Sequence, residues 1–374
     1  MKAILRAGLL FLWRKDTAMG VVIRSIALVF LAFSTILANA QGMAASVEET
    51  LDKLNRLSAS ERQTTMEREA HKEGRVVFYT TFNVADLQDL KRLFEQRYPF
   101  LRLESFRLGH GRLAEKVRTE TLTGRLDADA ISIPGLYADG LRSMGAVVSN
   151  RTPLRNQLLD GFTDKDGWFT GLYSTAYVLQ YNTKLVRPEE LPKDWNDLLD
   201  SKWKGQLAID QEGYEWFAGL LDTMGEEKGI SFARQLAARE IGVRRGHTLL
   251  SQLVAAGEFK IVLEQYDHIA YRAVKAGTPT NYVFMNPILS ELPNAIWVTK
   301  STSRPHAAAL LMDFLLSKET QQFFAQRGRR MSHREAAYLP NPPAHYRWSV
   351  PNPAKWGPRY NDLIKSYREI FLTK

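Results

Sequence analysis

A chain of 374 residues is longer than one hydrophobic core usually supports, so two lobes or domains are expected. Apolar residues at 45% and charged residues at 24% match ordinary globular composition and exclude a disordered or fibrous chain. The absence of cysteine excludes disulfides, thiol nucleophiles and thiolate metal sites, while the net charge of +9 reads mostly as a solvated surface, with attraction of an anionic solute or an acidic partner as the functional alternative.

Residues 1–40 read as an export signal. Lys2, Arg6, Arg14, Lys15 and Arg24 flank apolar runs, the clearest being 26–37, and Ala38-Asn39-Ala40 has the small-residue spacing of a signal-peptidase site. Cleavage is expected after Ala40, giving a periplasmic protein, and the twelve-residue apolar run is short for a membrane span. This stretch holds five basic side chains against the single acid Asp16, so nearly half of the basic excess lies within it. Nucleic acid is not an expected partner, since zinc-finger spacing, RNP-like motifs and dense basic-aromatic stretches are missing.

Residues 41–73 form an N-terminal helical segment, with Ser58 and Ser60 interrupting the helical period and supplying a cap for a second helix. A buried strand is expected over 75–81, a helix over 85–98 stopped by Pro99, a strand over 101–108, a helix over 112–122 ended by Gly124, and a strand over 128–133 closed by Pro134-Gly135. The alternation predicts a mainly parallel α/β sheet. The aromatic run 167–182 is read as an extended segment crossing between lobes. Beyond it, strands are expected over 206–209 and 259–263, with helices over 214–224, 230–238, 248–256 and 267–276. The chain then returns through a strand over 294–299 and an amphipathic helix over 305–316. The predicted division is lobe 1 over 74–175 and 283–336, lobe 2 over 176–282, and a C-terminal extension over 337–374 that packs across a lobe.

The stretches KEGRVVFYTT, LPKDWNDLLDSKWKGQLAID, LVAAGEFKIVLEQY and HAAALLMDFLLSKETQQFFAQRGRR, in this order and behind an export signal, resemble the type 2 periplasmic solute-binding proteins, in particular their ferric-iron or family 1 branch. The resemblance spans roughly 55–336. It implies a two-lobed α/β fold with a hinge and an inter-lobe cleft. It further implies a non-enzymatic, monomeric capture protein without a cofactor, which hands a small solute to an inner-membrane ABC permease. Against the tyrosine pair, histidine and carboxylate of the ferric branch, this sequence offers Asn83 and Pro134 at the histidine and carboxylate positions and Tyr266-Asp267 at the tyrosine pair. No metal ligand set is therefore assigned. A small anionic solute or a metal chelate is expected, with ferric ion as the alternative cargo. A periplasmic hydrolase or transferase is the rival of another class, and no HExxH or GxSxG motif supports it.

Candidate ligand contacts fall at strand ends and helix starts, where doubly wound sheets bind solutes. They are Thr80, Thr81 and Asn83 after the first strand, where hydroxyls and helix N-terminal amides can hold an anion, and His110 and Arg112 in the Gly109–Arg112 loop. Gly135 closes the third strand, and Ser174 and Thr175 lie in the crossing segment. Tyr214 and Trp216 follow Asp210 and Glu212 in the second lobe, and Tyr266 and Asp267 end its buried strand. A metal site of Tyr266, Asp267 and His110 is conceivable, with a polar cleft wall as the plainer reading.

Overall fold

The computed structural model describes residues 45–373, so the export signal and its cleavage site lie outside the described residues. Among the described residues, no helix is long and apolar enough to cross a membrane.

Helices α1 (Val47–Asn55) and α2 (Ala59–Glu73) open the described chain. Ser58 and Glu61 form the capping box of α2, and Gly74, at φ 72, ends it in the left-handed conformation that glycine adopts without strain. The order continues β1 (Arg75–Thr80), α3 (Val84–Arg97), β2 (Arg102–Arg107), α4 (His110–Leu122), β3 (Ala130–Pro134), α5 (Ala138–Ser143) and β4 (Gly171–Ser174). The chain then crosses to β5 (Tyr177–Asn182), β6 (Leu207–Asp210), α6 (Tyr214–Met224), α7 (Glu226–Ala237), β7 (Gly242–Arg244), α8 (His247–Ala256), β8 (Ile261–Tyr266), α9 (Asp267–Lys275) and β9 (Thr280–Val283). It returns through β10 (Ile288–Leu289), β11 (Asn294–Val298), α10 (Pro305–Leu316), α11 (Lys318–Ala325) and β12 (Arg330–Met331). The last elements are β13 (Trp348–Ser349), α12 (Pro353–Trp356) and α13 (Tyr360–Phe371).

The strands form a six-stranded sheet ordered β12-β4-β11-β3-β1-β2, a five-stranded sheet ordered β7-β6-β8-β5-β9, and a short β10-β13 pair. Both larger sheets are mixed rather than mainly parallel. β1 runs parallel to β2 and β3, whereas β11 runs antiparallel to β3 and β4. Likewise β6 runs parallel to β7 and β8, whereas β5 runs antiparallel to β8 and β9. The antiparallel members β5 and β11 follow the two crossings between sheets, so each enters its sheet against the direction of the strands laid down by local β-α-β connections.

Each sheet carries its own core. On the first, α1, α2, α3, α10 and α11 supply Leu51, Met66, Leu90, Phe94, Leu311 and Phe324 to one face. The other face buries Leu113, Val117, Ile131 and Trp297. Arg62, in the first turn of α2, is buried and forms a bidentate pair with Asp313 of α10 at 2.8 and 3.0 Å, which ties the N-terminal helices to the sheet. On the second sheet, Trp203, Trp216, Phe217 and Leu220 pack with Trp356, Leu363, Tyr367 and Phe371 of the C-terminal segment. That segment is therefore part of the second core.

Candidate functional site

The two lobes meet along the strand ends, and the contact has two halves of different chemistry. One half is built around Asp86, which lies in the first turn of α3 and is fully buried. Arg329, just before β12, reaches it at 2.5 Å, and Arg272 of α9 reaches it from the second lobe at 2.6 Å. Burial pushes the Asp86 carboxyl up, but the two guanidinium groups outweigh that and hold it below the usual carboxylate range. Arg272 also donates to the Arg327 carbonyl at 2.9 Å, so one side chain grips the first lobe twice.

The other half is acidic. His110 begins α4, and its Nδ1 lies 3.8 Å from Glu215 Oε1 on α6. Glu291, between β10 and β11, completes a group in which one ligand atom from each of His110, Glu215 and Glu291 lies within 4.8 Å of the others. Both Glu215 carboxylate oxygens are buried without a hydrogen-bond partner. Tyr177 donates to Glu291 at 3.4 Å, and Tyr266 also hydrogen-bonds it. Desolvation, joined by the charge of Glu291, raises Glu215 well above the usual carboxylate range; desolvation raises Glu291 as well. Desolvation lowers His110 to about 4, so its imidazole is neutral and free to act as a ligand. A neutral imidazole, two buried carboxyls and adjacent phenols form a donor set for a cation held by nitrogen and oxygen. The net charge of the chain hid this, because most of its basic side chains lie on the exterior while the cleft interior gathers carboxylates.

The expected ligand residues distribute unevenly over these halves. His110 and Tyr266 reach the acidic half, Tyr266 through its bond to Glu291 and a 3.6 Å stack on His247. Tyr214 lies one residue before Glu215, but its ring packs edge-on against Tyr360 and Tyr367, inside the second core. Asn83 caps α3 by accepting from the Asp86 amide at 2.9 Å, and its Nδ2 stands 3.5 Å from His268 of the second lobe. Thr81 donates to Asn294 at 3.0 Å. Thr80 accepts from the Phe82 amide, Ser174 accepts from Arg330, and the Thr175 carbonyl accepts from Ser290 and Glu291 at the crossing. Asp267 accepts from the His268 amide and from the Tyr338 hydroxyl, away from the His110 group.

Two expectations are corrected. Trp216 is fully buried beside Trp195, because successive helical residues turn by about 100° and the position facing the cleft is Glu215. The Gly135 amide is taken by the Pro293 carbonyl at 3.0 Å, and a Cβ there would meet Phe169 at 2.8 Å; the glycine serves packing rather than ligand access. Arg112 is exposed on α4, and its guanidinium lies near Gly109, the position that abuts Glu212 of the second lobe. Sequence reasoning missed Glu215, Glu264, Glu291 and His247. The available signal was single acids set in and beside elements otherwise read as buried.

The structure is similar to AfuA from Actinobacillus pleuropneumoniae, solved with exogenous fructose-6-phosphate bound, at a TM-score of 0.72 and 21% identity, covering 81% of this chain and 100% of that one. It is also similar to iron-bound HitA from Pseudomonas aeruginosa at a TM-score of 0.68 and 18% identity, covering 79% and 99% of the two chains. These likenesses show the fold, a mixed α/β two-sheet periplasmic-binding-protein fold. Among curated sequences, Iron uptake protein A1 of Synechocystis sp. is 25% identical over 177 residues, which is 43% of this chain. The match spans about half of that relative, 49% of its length. Residues 144–357, more than half of this chain, match the family described as bacterial extracellular solute-binding protein. The chain therefore belongs to the bacterial extracellular solute-binding proteins.

Proposed function

We propose that this chain is the substrate-binding component of an ABC uptake system and that its cargo is a metal cation, with iron the first choice. The observation that carries the reading is the His110, Glu215 and Glu291 group, whose ligand atoms lie within 4.8 Å of one another, a span suited to a single ion. His110 comes from the first lobe, Glu215 from the second and Glu291 from the returning segment between them, so an ion bound there ties the lobes together. A ligand that touches both lobes only when they are closed shifts the equilibrium towards the closed form. That form is the one offered to a membrane permease, the partner the family implies. Export with cleavage after Ala40 belongs to the same reading.

The names of two relatives, an iron-bound protein and an iron uptake protein, support iron, whereas the fructose-6-phosphate of a third supports an anionic solute. The buried carboxyls favour the cation, because a metal ion displaces their protons and converts each into an oxygen ligand. The deciding experiment is a thermal-shift and dialysis series on the metal-free full chain with ferric citrate, manganese(II), zinc(II) and fructose-6-phosphate. Saturable metal stabilisation is expected, and Glu215→Gln should weaken metal binding at least roughly tenfold while raising metal-free stability by about 1–3 kcal/mol through loss of a buried carboxyl. Stabilisation by the sugar phosphate with no response to any metal would reject the reading.

A further inference from the structure

We propose that the protein holds a second cation beside the first, bound by His247 and Glu264; this rests on the cation reading of the His110 group. His247 is the first residue of α8, and the Gly246 amide before it is fixed by the Asp210 carboxylate at 2.5 Å. Glu264 stands in the middle of β8 and is fully buried. Its Oε1 accepts from the Asp210 amide, which sets the side chain's direction. Its Oε2 has no hydrogen-bond partner and faces His247 Nε2 at 3.8 Å. Nδ1 of the same imidazole is also buried without a partner. The backbone makes room for this carboxylate: a Cβ at Gly213 would lie 3.2 Å from Glu264 and 2.8 Å from the Tyr367 hydroxyl.

The second pair adjoins the first group. The His247 ring stacks on Tyr266 at 3.6 Å, and Tyr266 hydrogen-bonds Glu291. Glu291 thus belongs to the first group and its charge also acts on Glu264 and His247. Among the described residues, no lysine or arginine forms an ion pair with Glu215, Glu264 or Glu291, and the ion-pair partners of the first two are the imidazoles of His110 and His247. A buried carboxylate without a counter-charge is costly to keep. A cation between Glu264 and His247 takes the unpartnered Oε2 and the imidazole nitrogen that faces it as ligands. Two imidazoles and three carboxylates are the residue types that hold paired metals.

The test uses the metal-free full chain and manganese(II), with bound metal counted after equilibrium dialysis and the spin pairing read by electron paramagnetic resonance. The expected result is two manganese ions per chain with an exchange-coupled signal. Glu264→Gln, which keeps the oxygen that accepts from Asp210, and His247→Gln should each reduce the count to one and leave an uncoupled signal. A wild-type count of one, or a count of two that both variants retain, overturns the second position while leaving the first intact. A wild-type count of zero overturns the cation reading itself. If one variant fails to fold by circular dichroism, the wild-type count and the other variant still decide.

Discussion

At the residue scale, Asp267 shows how a side chain near the cleft acts on stability rather than on cargo. Its carboxyl is pushed up to about 7, chiefly by burial, although the Tyr338 hydroxyl and the His268 amide work against the shift. The folded protein keeps this proton up to about pH 7, while the unfolded chain releases it near 3.8. Folding therefore takes up a proton between those values, and the stability this group contributes is lost as pH rises through them. Adjacent His268 has the opposite slope: burial, with Arg329 and Arg272, lowers it well below 6.5, so its contribution is lost as pH falls. Asp267→Asn removes the first slope and keeps an acceptor for Tyr338. Urea midpoints measured at about pH 5 and about pH 7.5 should drop more steeply in the wild type than in the variant. Parallel declines would exclude Asp267 as the source.

Legibility in the sequence also divides at this scale. His110 and Tyr266 were legible because each stands at a strand-to-helix junction, where the fold exposes side chains to the cleft. Glu215, Glu264 and Glu291 were not, because a glutamate within or beside a helix or strand reads as a solvated face until the opposite lobe covers it. Trp216 misled in the reverse sense: its size suggested a binding surface, and its place on the helix put it in the core.

At the scale of elements, the Asp86–Arg272 pair joins α3 to α9 across the cleft. Removing one partner of a buried ion pair costs about 3–5 kcal/mol when the remaining charge stays buried. Here the cost falls on closing rather than on folding, because Asp86 regains water once the lobes part and Arg329 still pairs with it. Arg272→Met is therefore expected to leave the unfolding midpoint nearly unchanged, enlarge the radius of gyration in small-angle scattering, and weaken metal affinity about tenfold or more. Unchanged scattering and affinity would show that the pair does not govern closure. The elements themselves were largely legible, with the export signal apart: helices announced by Ser58 at one start and Gly124 at one end fall where the residues put them. Strand direction was harder to read, since β5 and β11 owe theirs to the crossings rather than to anything in their own sequence.

At the scale of the whole molecule, both cores are assembled from distant parts of the chain. The first sheet is incomplete without β11 and β12, and the second core lacks Trp356, Leu363, Tyr367 and Phe371 until the C-terminal segment packs on it. Removing residues 350–374 is expected to leave the first lobe resistant to limited proteolysis and to make the second lobe protease-sensitive; equal resistance of both would contradict the role of that segment. Synthesis proceeds from the N-terminus, and domains fold as units once their parts are present. For this chain neither unit has all its parts until nearly the last residues emerge. A fold whose closing pieces arrive last is completed only when nearly the whole chain is at hand.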